Sequence, residues 1–498
     1  MTIRSIRLGT AAIVATREGR HHARSPLVWL LVLTAVTLAV FAVHVGIDRL
    51  RLVALRHAEL SAQLQSVRGD GSVPLFGLQA EPALRVLRPP EPLSILARGL
   101  DTVTPSFWDF SPSGVRRGAP FSDVGRARAA ASNVDLEFLI RVVVGLLAIL
   151  LAVDSVAGER ERGELLALLG QSVEPRDVLL GKLLGGAAIL GAAVGAVCAA
   201  ALVTTLIEDR TLITRGYVLS LLSLWAAGWL YCFVCFSGAL LLSTVSTSYR
   251  LGLTAAFVTW TVMTLVVVDA NAVLVPALAP ARSPAALEID RERLVESASA
   301  TIRDSLGDQF AAALGGPSAW VARQDDATLV RSVRARLDPL WDRHVAEVRG
   351  QLDAIDRAAG QADQRQELLS RIASFLNPAA EFVAAAGNLA GTGEPAAAAW
   401  QDTTAAYQRE LNGLLFDNQP RYYIRVPYTE GASGTSRHLL VALDRHALTK
   451  LGGLPAFAAP GGTFRHRLKD AQSHLLVLLA YAAAFVGGTL VAFQRLRF

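Results

Sequence analysis

Cys232-Phe-Val-Cys235 has the spacing of a metal or redox pair. Its setting argues otherwise: there is no second pair, no nearby His or Asp, and the surrounding run is apolar. Buried inert thiols are the expected state of these two and of Cys198. The nine histidines form no ligand cluster along the chain. His21-His22 reads as a solvated or headgroup-level pair, and His44 as interfacial. Gly181-Lys182 is the one Gly-Lys step. A phosphate loop would need glycine at 176 and Ser or Thr at 183, where the chain has Arg176 and Leu183. No H-E-x-x-H helix or G-x-S-x-G elbow occurs. The chain is therefore not expected to be an enzyme with its own ATPase site, and no catalytic residue, cofactor or metal is called for.

Two other groups of residues remain as candidates. Glu137 and Arg141 stand four apart inside an apolar stretch and can pair on one helix face. A charge at the bilayer centre costs about 2.5–3.5 kcal/mol, so such residues are structural pairs or line a substrate path. Both readings are open for Glu137 and Arg141, and for Asp269 with Asn271 near the end of a later apolar stretch. The second group is the run Asp154–Lys182, DSVAGERERGELLALLGQSVEPRDVLLGK. Glu159, Glu161 and Glu164 alternate with Arg160 and Arg162. Leu165, Leu166, Leu168 and Leu169 then form an apolar helical face. Gly170 can end that helix, and Glu174-Pro175 starts the next. The pattern is a short amphipathic helix at a membrane surface, a break, and a spanning helix. It is either a solvated hairpin or a docking helix for a cytoplasmic motor.

These candidates sit in a strongly apolar chain. Of 498 residues 52% are hydrophobic and 18% charged, and the mean hydropathy is +0.38. That balance excludes a disordered chain and a small disulfide scaffold. The net charge is +5 with pI near 9.3, but no basic stripe carries interleaved aromatics, so nucleic acid is not an expected partner. Six stretches approach the roughly 20 apolar residues that cross a bilayer. They are Leu27–Ile47, Val134–Val153, Leu183–Ile207, Val218–Leu242, Leu251–Val275 and Ser473–Phe493. The expected fold is an all-α integral membrane protein: six transmembrane helices with a mostly helical extracytoplasmic insertion.

Short basic flanks orient such a chain. Arg4, Arg7, Arg17, Arg20 and Arg24 precede the first stretch. Arg160, Arg162, Arg176 and Lys182 lie between the second and third, Arg250 between the fourth and fifth, and Arg495 and Arg497 at the end. All fall on one side, assigned to the cytoplasm. Residues 1–26 are then a cytoplasmic amphipathic segment ahead of a retained anchor at 27–47. Residues 48–133 and 276–472 are extracytoplasmic insertions. The block 134–275 holds transmembrane helices 2–5 with the cytoplasmic segment 154–182, and 473–498 is the last helix and its cytoplasmic tail. In the larger insertion Leu287–Ala313 reads as helix. Leu329, Val330, Val333 and Leu337 form a stripe that Asp338-Pro339 can end, and Leu340, Val345, Val348, Leu352 and Ile355 continue it. Asn377-Pro378 and Gly387–Gly393 break the pattern. Pro395 opens a helix with Trp400, Tyr407, Leu411 and Leu414 on one side, and Tyr422–Tyr428 suits a short strand. The stripes are expected to close into a small helical bundle. Gly191-x-x-x-Gly195 suits close helix approach.

The run 154–182 resembles the permease subunits of ABC transporters of the ABC-2 type. Their pattern after the second span reads G-E-R-E-x-G-T-L, a leucine-rich turn, P-V-x-R and L-L-x-G-K. This chain has Gly158, Glu159, Arg160, Glu161, Gly163 and Leu165, then Arg176, Leu179, Leu180, Gly181 and Lys182. Glu164 stands at the usual threonine, and Pro175 is displaced, with Ser172-Val173 before it. The six-span layout and basic N-terminal segment agree. A large insertion before the last span is similar to that of the subgroup resembling copper-enzyme maturation permeases, with Leu93–Trp108 and the region Asn377-Pro378 through Ala390-Gly391-Thr392 as the outer matches.

The resemblance implies a permease subunit, an exporter, in a bacterial plasma (inner) membrane. Its partners would be a separate cytoplasmic ABC ATPase in two copies, a second permease copy or paralogue, and membrane lipid. Gly158, Glu159, Arg160, Glu161, Gly163, Leu165, Arg176 and Lys182 would couple ATPase motion to the spans. A membrane-anchored extracytoplasmic interaction or assembly protein, moving no solute, is the alternative.

Overall fold

A computed structural model of the chain describes residues 8–68, 84–111, 114–118, 134–170, 174–283, 286–287, 289–291, 293–294, 297, 326–417, 423–430, 435–442 and 455–495. Among these residues six helices are long and apolar enough to cross a membrane. Span 1 is Pro26–Arg68, span 2 Leu136–Glu161, span 3 Pro175–Glu208 and span 4 Arg215–Val245. Span 5 is Tyr249–Val266, continued by Val267–Leu278, and span 6 is Phe464–Gln494. A separate N-terminal helix, Leu8–Ala23, precedes span 1. Local signals start several of these helices. Asp135 accepts the Phe138 N–H at the head of span 2, Thr214 that of Tyr217 at span 4, and Ser248 that of Leu251 at span 5. Pro175 occupies the first turn of span 3.

Span 1 runs well past Ile47, to Arg68. The apolar window ends there, but no glycine or proline interrupts 47–68, so an amphipathic helix continues out of the bundle. Three short π-helical turns interrupt the spans: Ile140–Val144 and Asp154–Gly158 in span 2, and Val262–Val266 in span 5. Such turns leave backbone groups without helical partners, which an apolar surrounding does not tolerate. Side chains from neighbouring helices take them. Ser243 donates to the Val153 carbonyl at 3.2 Å and accepts the Ala157 N–H at 3.0 Å. Arg141 donates to the Thr264 carbonyl at 2.6 Å, and Asn377 to that of Met263 at 2.8 Å.

Spans 3 and 4 meet along small residues. Trp225 and Trp229 lie over Gly195 and Gly191, and their indole N–H groups donate to the Gly191 and Ala187 carbonyls at 3.0 and 2.8 Å. Gly186 faces the buried ring of Phe236.

The two insertions assemble together at the end of the bundle opposite the N-terminal helix, against the start of span 6. Strands β1 (Arg85–Leu87), β2 (Phe107–Ser111) and β3 (Gly114–Arg117) form an antiparallel sheet, with Val86 opposite Trp108 and Trp108 opposite Arg117. Trp108 stacks on Trp400 with centroids 5.1 Å apart, and Phe110 meets Tyr407 edge-on at 4.9 Å. The helix Glu394–Asp417 thus buries Trp400, Tyr407 and Leu411 against a sheet, where a helical bundle was expected. Strands β4 (Tyr423–Glu430) and β5 (Thr435–Ala442) pair antiparallel, so the strand expected near 422–428 is half of a hairpin.

Asp338-Pro339 does not end a helix. A single helix runs Ala327–Phe375 with Pro339 inside it. Proline removes one hydrogen bond and crowds one turn, and the flanking Arg, Ala, Leu and Glu residues favour helix on both sides. Near its end Leu368, Ile372, Phe375 and Leu376 stay exposed, so the described residues do not close a bundle over them. The expected helix Leu287–Ala313 lies largely outside the described residues. The short helix Pro378–Ala390 is almost wholly buried against spans 4, 5 and 6. Phe382 stacks on Tyr231, midway along span 4, at 4.8 Å.

A Cβ at position 186 would lie 2.3 Å from the Phe236 ring. Gly186→Ala is expected to lower stability by about 1–3 kcal/mol, the usual scale of overpacking. The loss should appear as a lower melting temperature of the detergent-solubilised protein, and Phe236→Leu in the same chain should recover part of it.

Candidate functional site

The run 154–182 builds an elbow at the end of the bundle that holds the N-terminal helix. Span 2 ends at Glu161, Gly163 turns the chain at φ 75°, and the elbow helix Glu164–Leu169 follows. A positive φ is open to glycine at little cost, so Gly163 makes the corner. Gly158 serves a different need. A Cβ there would lie 2.5 Å from Asp154 Oδ1, and its absence lets Arg162 fold back to Asp154 at 2.9 Å. Leu165 is fully buried and anchors the elbow helix. The side chains of Leu166 and Leu169 lie outside the described residues.

Under the elbow sits a buried ionic triad. The Lys182 ammonium, in the second turn of span 3, is fully enclosed. It donates to Glu159 Oε2 at 2.7 Å and to Glu18 Oε1, on the N-terminal helix. The one ammonium offsets one of the two carboxylate charges, so the buried triad is closed electrically only when the carboxylates share a proton. The N-terminal helix reaches this position because span 3 carries glycine where they cross. A Cβ at Gly181 would lie 2.5 Å from that of Val14, and one at Gly185 2.8 Å from that of Glu18.

His22 extends the cluster. Its Nε2 lies 3.3 Å from Ser155 Oγ and 3.5 Å from Glu18 Oε2. Burial is the main force lowering its pKa from 6.5 to about 4, with help from the neighbouring His21. It is therefore neutral at physiological pH. The expectation of a solvated His21-His22 pair holds for half-exposed His21, 3.4 Å from Asp154 Oδ2, and fails for His22. His21, His22 and Asp154 also place three ligand-type atoms within 4.8 Å of one another, a grouping across 133 residues that spacing does not reveal. Asp154 is already paired with Arg162.

The other coupling candidates spread around this core. Arg160 donates to the Ser246 carbonyl in the link between spans 4 and 5, and Glu161 Oε1 accepts the Tyr249 N–H at 2.6 Å. Arg176 is exposed at the head of span 3. Glu164 is 40% exposed, 3.3 Å from Arg162 and 3.8 Å from Arg17. Glu159 and Lys182 are thus internal, while Glu164 and Arg176 face outward. Sequence reasoning missed Glu18 and His22. Their i,i+4 spacing on one face of an amphipathic helix was the available signal.

The intramembrane candidates lie nearer the opposite end. Arg141 Nε donates to Glu137 Oε1 at 2.7 Å, and both are largely buried. The Tyr231 hydroxyl donates to the Arg141 carbonyl at 3.4 Å and lies 3.3 Å from Thr264 Oγ1. The pair therefore joins spans 2, 4 and 5. Asp269 falls in the helical continuation of span 5, and its side chain lies outside the described residues.

Two variants test the triad. Lys182→Met strands Glu18 and Glu159 and should cost about 3–5 kcal/mol, the scale for breaking a buried pair. A chain that also carries Glu18→Gln and Glu159→Gln should melt closer to the wild type. His22 sets a pH dependence. In the unfolded chain it protonates near 6.5, in the folded chain only near 4. Its contribution to stability is complete above 6.5 and is lost as pH falls toward 4. His22→Gln should therefore lose less melting temperature than wild type between pH 7 and pH 5.

A family model described as ABC-2 family transporter protein matches residues 12–496. No curated protein matches the chain.

Proposed function

The chain belongs to the ABC-2 family of transporter proteins, as a multi-pass permease subunit of an ABC transporter, and we propose that it is an exporter subunit moved by a separate cytoplasmic ATPase. The observation that carries the coupling reading is the elbow at 158–182. One helix surface faces outward, while its base is tied to span 2 through Glu159, to span 3 through Lys182, and to the span 4–5 link through Arg160 and Glu161. A push on such an elbow is poorly absorbed locally, since its base is closely packed and Lys182 ties the N-terminal helix, span 2 and span 3 together inside. It moves the ends of the spans together, which is what conversion of ATPase closure into alternating access demands.

On this reading the elbow end is cytoplasmic. Arginines in the short links support this orientation in a bacterial inner membrane. Residues 48–133 and 276–472 are then extracytoplasmic. Two ATPases and a second permease, identical or paralogous, complete the assembly. Uncovered apolar side chains such as Trp29, Leu30 and Leu33 on span 1 suit lipid or that second permease. The ATP site belongs to the partner, since the chain has no phosphate loop of the Gly-Lys-Ser/Thr kind.

The docking surface on this reading is the exposed one. Glu164→Lys with Arg176→Glu reverses two outward charges and leaves the buried triad intact. Surface pairs contribute about 0–1 kcal/mol, so folding and membrane insertion should be unchanged. Permease-dependent stimulation of the co-expressed ATPase should fall about tenfold or more, the cost of placing like charges across an interface. Undiminished stimulation in the double variant would remove the elbow from the coupling path.

A further inference from the structure

The two outer motifs noted in the sequence, near Leu93–Trp108 and Asn377–Thr392, are distant in the chain and clamped together in space. Gly99, at φ 46°, sits so close to Thr392 that a Cβ would lie 2.5 Å from its carbonyl oxygen. The Leu100 N–H donates to that oxygen at 2.8 Å, and the Thr392 hydroxyl donates to the Ala97 carbonyl at 2.9 Å. Gly391, at φ 73°, ends the short helix and makes the turn. The clamp borders a partly open polar cavity of about 210 Å³ against the head of span 2, lined by Arg98, Thr102, Glu137, Arg141, Val383 and Gly387 among others.

Among the described residues, every charge around this cavity but one has a direct partner. Asp135 spends both oxygens on backbone N–H groups, those of Phe138 at 2.8 Å and Arg98 at 2.9 Å. Glu137 and Arg141 hold each other, and Arg141 also binds the Thr264 carbonyl. Asp101 is taken by Arg88 at 2.7 Å and Arg49 at 3.3 Å. Arg98 is only 7% exposed. Among the described residues its guanidinium has no hydrogen bond or ion pair, and Asp135 and Asp101 attract it only from a longer distance. Burial, aided by Arg49, draws its pKa down to about 10, so it remains charged at neutral pH. A largely buried guanidinium without a direct counter-ion carries an energetic cost that a bound anion reduces.

We propose that the cavity between the two outer motifs and span 2 binds a phosphate group, with Arg98 as its cationic ligand. The planar fork of arginine suits the oxygens of phosphate. The cavity lies at the head of span 2, where the phosphate of a lipid headgroup or of a free solute can reach it. Its volume admits one such group and excludes a bulky chain. The site goes beyond the coupling reading and is read out by binding alone, so the ATPase experiment can fail while this one succeeds.

The test uses the full chain purified in a neutral maltoside detergent. Inorganic phosphate is titrated in one arm and short-chain phosphatidylglycerol in the other, with calorimetry and melting temperature as readouts. Saturable binding in the first arm identifies free phosphate, and binding in the second alone identifies a lipid headgroup. Arg98→Gln should weaken the binding about 10- to 100-fold, the effect of one lost charge-assisted contact. Arg98→Lys should keep part of it. Val383→Phe, which fills the cavity without changing charge, should weaken it too, and decides the matter if Arg98→Gln does not fold. Absence of saturable binding in both arms, or wild-type binding in Arg98→Gln or in a folded Val383→Phe, overturns the proposal.

Discussion

A lysine sealed from water between two carboxylates governs the geometry of the elbow end. Lys182, Glu18 and Glu159 come from three helices, and none of these charges is stable there alone. The triad therefore fixes the N-terminal helix, the end of span 2 and the start of span 3 in one arrangement. Gly181 and Gly185 are small because Val14, Ala15 and Glu18 press against them. Gly158 is small because Arg162 must reach Asp154. The elbow helix stands on this base, with Leu165 inserted and Glu164 turned outward.

The same constraint, applied to the backbone, shapes the rest of the bundle. Three π turns free carbonyl and amide groups in an apolar surrounding, and Tyr231, Ser243, Arg141 and Asn377 cross between helices to meet them. Glu137 and Arg141 thereby acquire a structural duty in addition to any ligand they meet. The short helix Pro378–Ala390 is held in this way as well. Asn377 ties its start to span 5, and Asn388 and Glu381 tie it to Asp470 and His474 of span 6. The insertions are thus joined to spans 5 and 6 by hydrogen bonds.

Much of the frame was legible in the chain. The six spans follow from apolar length, because twenty apolar residues have few stable places other than a bilayer. The start at Pro175 and the breaks at Asn377-Pro378 and within Gly387–Gly393 follow from local backbone preferences, whereas the corner at Gly163 was missed, the expected helix end being at Gly170. The family pattern at 158–182 is equally a matter of residue order. Periodicity failed at Pro339, where it weighed one proline against too little helix. It also failed to place Trp400, Tyr407 and Leu411, since a helical stripe records that a face is buried and says nothing of what covers it.

Pairing across long separations was decided by packing alone. Glu18 meets Lys182 across 164 positions, and Thr392 meets Ala97 across 295. A charged residue in a sequence looks the same whether it faces solvent or a buried counter-ion. Glu159 and Glu164, five apart in one acidic run, end on opposite sides of that line. Arg98 carried no local signal of its state, because what distinguishes it is that each neighbouring acid is already engaged. Hydropathy and turn chemistry act within a few residues of one another and are therefore readable in order. Compensation of buried charge acts through space, and only the folded chain decides which partners it brings together.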